Sequence, residues 1–310
     1  MTDKVKIIVI CGPTASGKTH LAADVAGHFN GEVVNADSMQ VYRGMDIATA
    51  MPTHGEKQGI PHHLFAIIEP DETFSVADWL ILAREKIAEI TSRGKLPVIA
   101  GGTGLYINSL IDNITFDDIG NDTEFREKMY KLAEEKGNSF LLEMLRSIDP
   151  EAASNLHENN VKRVIRALET HKSGGLNMES RLELSRKTPS PYNACVIGIN
   201  FESRQTLYDR INRRVDIMLE NGLLNEAIMF NSRKTATASQ AIGHKELLPH
   251  LKNEAELNEC VEILKMRTRN YAKRQLTWFR KVKGLTWFTM KGEENYCENL
   301  KKIINFIENF

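Results

Sequence analysis

Gly12-Pro13-Thr14-Ala15-Ser16-Gly17-Lys18-Thr19 reads as a complete phosphate-binding loop, Gly-x-x-x-x-Gly-Lys-Thr. It follows the apolar, β-branched run Val5–Cys11 and opens a helical stretch from Lys18 to Phe29. That strand–loop–helix context separates a working loop from a chance turn. Glycines let successive backbone N–H groups turn inward around phosphate oxygens, and the helix N-terminus adds its positive dipole end. In such a loop Lys18 reaches a terminal phosphate and the Thr19 hydroxyl holds Mg2+. The chain is expected to bind a polyphosphate together with Mg2+.

Working outward from the loop, apolar strands alternate with amphipathic helices. Strands are expected at Val5–Cys11, Glu32–Asn35, His63–Ile67 and Leu96–Ala100, with a helix over Ser75–Ser92 that Ser75 caps. This alternation predicts an α/β fold with a parallel, doubly wound sheet. Ligands on such sheets bind beyond the carboxyl ends of the strands. The loop, Asp37-Ser38 and Gly101-Gly102-Thr103-Gly104 all fall there. From about residue 121 to 189 the texture is helical: Thr123–Lys136, Asn138–Ile148, Pro150–Leu156 and Asn160–Ser173. An all-helical insertion over 121–189 is therefore expected between core segments 1–120 and 190–310. Asn193–Asn200 returns to the sheet, Ser203 caps a helix reaching Asn221, and a long helix is expected over Glu254–Lys283, before a strand at Leu285–Phe288.

The 310 residues suffice for one large domain or two modest ones. Four scattered cysteines, without a Cys-x-x-Cys pair, argue for a reducing compartment and against a zinc site. Met1 to Lys4 leads straight into the first strand, which leaves no room for a signal peptide, and no apolar run is long enough to span a membrane. A cytoplasmic monomer is expected. The net charge of −1 says nothing about nucleic acid. Between Val261 and Lys291, however, Lys265, Arg267, Arg269, Lys273, Arg274, Arg280, Lys281, Lys283 and Lys291 meet a single acid, Glu262, with Tyr271, Trp278 and Phe279 interleaved. Such a stripe suits a phosphate backbone or, equally, a solvated helix face.

Asp37, after the second strand, can serve as a general base or orient a metal-bound water. The turn after Ala100 lacks the acid of an ordinary ATPase. Its glycines permit close approach of a substrate, and Thr103 offers a hydroxyl. Arg210 and Arg214 share one helix face and form a candidate clamp for pyrophosphate, with pairing to Asp209 and Asp216 as the alternative. Arg163 and Arg166 offer a grip for a polyanion beyond the active site. His62 and His63 point to opposite sides of a strand, so they are structural or substrate-lining and not a metal pair.

Taken together, these motifs resemble the tRNA dimethylallyltransferase family. The likeness runs nearly end to end, on the loop and on Ala36-Asp-Ser-Met-Gln-Val-Tyr-Arg-Gly-Met-Asp46, Pro61-His-His-Leu64, Phe74-Ser-Val-Ala-Asp78 and Gly101-Gly-Thr-Gly-Leu-Tyr106. It continues through Arg163-Val-Ile-Arg-Ala-Leu-Glu169, Ala241-Ile-Gly-His-Lys-Glu246 and Thr268-Arg-Asn-Tyr-Ala-Lys-Arg-Gln-Leu-Thr-Trp278. The resemblance implies a P-loop fold that transfers a dimethylallyl group from dimethylallyl diphosphate to N6 of the adenosine 3′ of the anticodon. It implies that residues 12–19 and Arg214 hold the diphosphate, that Asp37 is the base at N6, and that Thr103 bonds within the site. It further implies contacts of Asp37, Ser38, Met39, Gln40, Thr103, Arg126, Lys162, Arg163, Val164, Ile165, Arg166, Gln240, Ala241, Ile242, Gly243, His244 and Lys245 with the tRNA anticodon stem-loop. Met39, Ala48 and His244 depart from residues common in the family, as does the stretch from Gly175 to Ser180, and no C-terminal zinc finger follows, as in the bacterial form. Prenyl transfer to a free adenine nucleotide, a small-molecule kinase and a nucleotide-switched RNA-binding regulator are the competing readings.

Overall fold

β-Branched residues dominate Val5–Cys11, and alternate side chains of this strand are buried on opposite faces of a sheet. The computed structural model describes residues 4–116, 122–174, 180, 183–184, 186–231 and 241–310. Its six strands are β1 (Val5–Cys11), β2 (Gly31–Asn35), β3 (His62–His63), β4 (Leu96–Gly101), β5 (Tyr192–Phe201) and β6 (Leu285–Met290). They lie in the order β3-β2-β4-β1-β5-β6, all parallel. Ile8 is registered with Val98 on one side and Cys195 on the other. A sheet covered on both faces requires continuous apolar strands, which is why β1 and β2 show no polar alternation.

The helices are α1 (Lys18–His28), α2 (Val76–Ser92), α3 (Gly104–Ile111), α4 (Thr123–Lys136), α5 (Asn138–Ile148), α6 (Pro150–Ser154), α7 (Val161–Gly174), α8 (Arg204–Glu220), α9 (Leu223–Asn231), α10 (His244–Leu251), α11 (Leu257–Phe279) and α12 (Tyr296–Glu308). Leu21 and Val25 of α1, Ile211 of α8 and Ile303 of α12 pack with Ile8 and Ile10. Trp79 and Ile87 of α2, Ile107 of α3 and Phe279 of α11 pack with Ile7 and Val9. Each such buried side chain contributes about 1.5–3 kcal/mol. Ser75 caps α2 in a reciprocal capping box with Asp78.

Three expectations change. The strand over His63–Ile67 stops at His63 because Leu64 and Ala66 are left-handed, at φ 63° and 49°. The Ala66 and Ile67 N–H groups instead bond Gln40 O and Val41 O. The helix expected over Glu254–Lys283 is the shorter α11, after which Gly284 (φ 72°) turns the chain into β6. Residues 223–251, to which periodicity assigned nothing, carry α9 and α10.

The chain divides into two compact units, Asp112–Ser190 and the remainder. The smaller unit is all-helical among its described residues, with Met129, Leu141, Leu145, Val164 and Leu168 in its core. Its two ends meet where Asn113 Nδ2 donates to Pro189 O at 3.4 Å. Residues 1–3, Gln240 and most of the departure at 175–180 lie outside the described residues. Among the described residues, no helix is long and apolar enough to cross a membrane.

Candidate active site

The loop turns where its glycines allow. Gly17 is left-handed (φ 87°) at the N-cap of α1. A Cβ on Gly12 would lie 2.5 Å from Ile199 O, so the loop starts hard against β5. Lys18 Nζ folds back to donate to Pro13 O at 2.7 Å. Burial pushes the Lys18 ammonium down to about 8, Arg214 adds to that, and Asp37 and Cys11 oppose it. Arg214 is also lowered, first by burial. Two desolvated cations facing the same space are stabilised by an anion. The Cys11 thiol beneath them is pushed up to about 12 by burial and stays neutral.

Arg210 and Arg214 share a face of α8 but do not form one clamp. Arg214 Nη1 reaches Thr14 Oγ1 at 3.5 Å and lines the main cavity. Arg210 Nε donates to Ala15 O at 2.9 Å and lines a separate cavity with Ser16, Gly17 and His20. Thr14 lines the main cavity, whereas Ser16 Oγ is buried without a hydrogen-bond partner. Pairing of either arginine with Asp209 or Asp216 is also absent among the described ion pairs, since Asp209 bonds Gln205 and Asp216 bonds Lys265.

Asp37 sits on a turn that Asn35 builds. Asn35, fully buried, accepts the Asp37 N–H at 2.9 Å and donates to Leu64 O at 3.0 Å. Trp79 Nε1 donates to Asn35 O at 2.8 Å. One Asp37 oxygen accepts the Met39 N–H at 3.0 Å. Thr103 does not face outward as a free hydroxyl. Its Oγ1 accepts the Ser38 N–H at 2.9 Å and donates to Ser38 Oγ at 3.2 Å, tying the Asp37 turn to the end of β4.

Gly101 and Gly102 line the main cavity, and the glycines around Thr103 are also approached closely by the protein itself. A Cβ on Gly101 would lie 2.2 Å from the Ala36 carbonyl carbon, on Gly102 2.3 Å from Gln275 Nε2, and on Gly104 2.2 Å from the Trp278 ring. Gln275 is a residue that sequence reasoning missed. It is buried on α11, accepts the Thr14 N–H at 2.8 Å and donates to Gly102 O at 3.0 Å. Its signal was an amide inside the basic stretch. That stretch splits by face: Leu264, Thr268, Tyr271 and Gln275 line the cavity, while Arg267, Lys273 and Arg280 are exposed.

The cavity holds about 290 Å3 within the larger unit. Lys18, Thr19 and Arg214 form its cationic end, and Asp37, Ser38, Met39 and Gln40 another part of its wall. Val215, Met218, Leu264, Ala241 and Ile242 supply apolar lining. His62 lines it too, with Nδ1 donating to Ile60 O at 2.8 Å and burial lowering the pKa of the ring. His63 points away to Glu32, at 2.7 Å, as strand alternation requires.

Some expected RNA contacts are buried. Val164 and Ile165 are core residues of the helical unit, because α7 turns that face inward. His244 is 4 % exposed and bonds Glu226. Gly243, left-handed at φ 134°, ends the loop before α10, and Lys245 lines the cavity. Arg126 and Arg166 both bond the fully buried Glu169, at 2.8 and 2.6 Å. Lys162 and Arg163 are exposed and have no ion-pair partner among the described residues.

The IPP transferase family model matches residues 40–282 of the chain. A protein named tRNA dimethylallyltransferase from Thermoanaerobacter sp. (strain X514) is 48 % identical over 307 residues, covering 98 % of each chain. That of Bacillus subtilis (strain 168) is 47 % identical over 289 residues, covering 93 % of this chain and 91 % of its own. The crystal structure of the full-length tRNA isopentenylpyrophosphate transferase from Bacillus halodurans superposes with a TM-score of 0.74 at 45 % identity, covering 99 % and 96 % of the two chains. A eukaryotic dimethylallyltransferase solved acting on tRNA superposes with a TM-score of 0.83 at 29 % identity, covering 98 % and 80 %. With its P-loop, its six-stranded parallel sheet and a near full-length match to these relatives, the chain belongs to the IPP transferase family.

Proposed function

We propose that the protein transfers the dimethylallyl group of dimethylallyl diphosphate to N6 of the adenosine 3′ of the anticodon in tRNA, releasing diphosphate. The observation that carries this reading is that Lys18, Arg214 and Asp37 all line one partly apolar cavity. Dimethylallyl diphosphate has an anionic head and an apolar tail. The cations suit the head, and Met218, Leu264 and Val215 suit the tail. Neither the Lys18 ammonium nor the Arg214 guanidinium has a carboxylate in ion-pair contact among the described residues, so both remain available for a departing diphosphate.

In the transfer, adenine N6 attacks C1 of the prenyl group and the C1–O bond breaks with its electron pair going to diphosphate. Lys18, Arg214 and the loop N–H groups stabilise that growing charge. The Asp37 carboxylate takes the N6 proton, held in place by the Met39 N–H and by Asn35. Thr103, bound to Ser38, positions the turn that carries Asp37.

The donor set fits Mg2+, which favours oxygen and keeps several waters alongside one or two protein ligands and substrate phosphates. Thr19 Oγ1 would hold the ion at the diphosphate, where it would add positive charge against the leaving group. Among the described residues, no cluster of three His, Cys, Asp or Glu side chains could hold a metal ion.

Lys162 and Arg163 on α7 and the exposed basic face of α11 suit an RNA backbone. The adenosine would leave its stack to reach the cavity, as base-modifying enzymes require. The test is to incubate the protein with dimethylallyl diphosphate, Mg2+ and unmodified tRNA, with AMP as a competing acceptor. Prenylated N6-adenosine in the tRNA digest supports the reading, and prenylated AMP alone or ATP hydrolysis alone overturns it. Asp37→Ala should lower turnover by roughly 10²–10⁴-fold with donor binding kept, the range for a general base.

A further inference from the structure

Glu226 is a buried carboxylate that the proposed reaction does not use. It lies on α9 at 5 % exposure, on a helix that buries Leu223 and Ala227 in an apolar cluster. Its two oxygens accept the Ile47 N–H at 2.8 Å and the Ala48 N–H at 2.9 Å. His244 Nε2 lies 2.8 Å from the oxygen that Ala48 bonds. Because that neighbour is a carboxylate, Nε2 carries the proton. The other ring nitrogen, Nδ1, is buried without a hydrogen-bond partner. An imidazole with one nitrogen left bare in an apolar setting is poor filling, although its ring also stacks on Phe230 at 4.7 Å. Its polar contribution is the bond to Glu226.

Three segments meet at this carboxylate: α9, the turn after Asp46 and the first residue of α10. Two of them line the active-site cavity, through Ala48 and Thr49 from the turn and Ala241, Ile242 and Lys245 from the approach to α10. The turn also carries the carbonyls of Thr49 and Ala50, and each accepts from Gln40 Nε2 at 3.0 Å. Gln40 in turn follows Asp37, Ser38 and Met39 along the cavity wall.

We propose that Glu226, with His244 as its buried donor, is a positioning residue for the acceptor: it clamps the Ile47–Ala48 turn and so sets the wall formed by Gln40, Thr49, Ile242 and Lys245. The charge matters as well as the shape. Two backbone N–H groups and one imidazole N–H all need an acceptor, and a carboxylate offers nothing else. A glutamine of the same size turns an NH2 toward one of these donors. This assignment rests on tRNA being the acceptor, whereas the diphosphate end of the cavity, built by α1 and α8, does not depend on the turn.

The experiment compares Glu226→Gln, His244→Ala and His244→Gln in the full chain. It measures the KM for tRNA, the dissociation constant of dimethylallyl diphosphate by calorimetry, and melting temperature. Glu226→Gln and His244→Ala are expected to raise the tRNA KM about ten- to hundredfold, the loss for a charged buried hydrogen bond. Donor affinity should stay within about twofold of the parent. His244→Gln keeps an N–H donor and should recover most of the loss. An unchanged tRNA KM in Glu226→Gln, an equal loss of donor affinity, or a His244→Gln variant no better than His244→Ala overturns the proposal. If Glu226→Gln does not fold, the two His244 variants decide the same question. Failure of the parent protein to prenylate tRNA would instead overturn the proposed function, so the two readings fail separately.

Discussion

Gln275 accepts the Thr14 N–H and donates to Gly102 O, so one buried amide on α11 bridges the phosphate loop and the turn that follows β4. The two loops emerge from adjacent parallel strands, β1 and β4. Thr103, in the second of them, holds the Ser38 N–H beside Asp37, so their relative placement bears on how far Asp37 lies from Lys18. Gln275→Glu keeps the acceptor for Thr14 but leaves Gly102 O without its donor. A buried unsatisfied group costs about 1–3 kcal/mol. The expected outcome is a matching fall in kcat and in melting temperature, read by steady-state kinetics and calorimetry. An unaltered kcat would show that the bridge is structural only.

Lys18 gives a pH signature. Its ammonium is lowered to about 8, and a bound diphosphate favours the charged form and raises it again. Above about pH 8 the complex therefore holds more protons than the free protein. Calorimetry at pH 8 in buffers of different ionisation enthalpy should show Lys18 taking up roughly half a proton on binding, and almost none at pH 6. Lys18→Arg cannot deprotonate, so the difference between it and the parent isolates this share from the ligand's own titration.

Gly101 tests close packing against function. Its missing Cβ would meet the Ala36 backbone at 2.2 Å, and backbone cannot swing aside. Gly101→Ala should destabilise by roughly 3 kcal/mol or more and displace the Asp37 turn. Gly55→Ala meets nothing within 4 Å and should stay within about 0.5 kcal/mol of the parent. Comparable denaturation midpoints for the two variants would contradict this.

The helical unit separates arginines that hold the fold from those that are free. Arg163→Ala should weaken tRNA binding and reduce its salt slope by about one, with melting unchanged. Arg126→Ala removes one of two cations from Glu169, whose carboxylate is resisted by burial yet held below its usual range by both arginines and the Asp122 N–H. Arg166 and the Asp122 N–H still face Glu169, so the cost stays below the ~3–5 kcal/mol of a buried charge left unpaired, and this variant should melt earlier. Filter binding across a salt series, with calorimetry alongside, distinguishes the two.

The sequence alone determined the loop at 12–19, the parallel α/β sheet, the positions of Asp37 and Arg214 at strand ends or on one helix face, and the helical insertion. These are local or periodic properties: backbone freedom at glycine, burial on both sheet faces, a carboxylate after a strand. Tertiary structure decided what local pattern cannot encode. It filled the space beside Gly101, Gly102 and Gly104 with Ala36, Gln275 and Trp278. It sent Arg210 and Arg214 to different sides of the loop, and turned His244 inward to Glu226. Such pairings join residues far apart in the chain, and packing across the sheet is what brings them together.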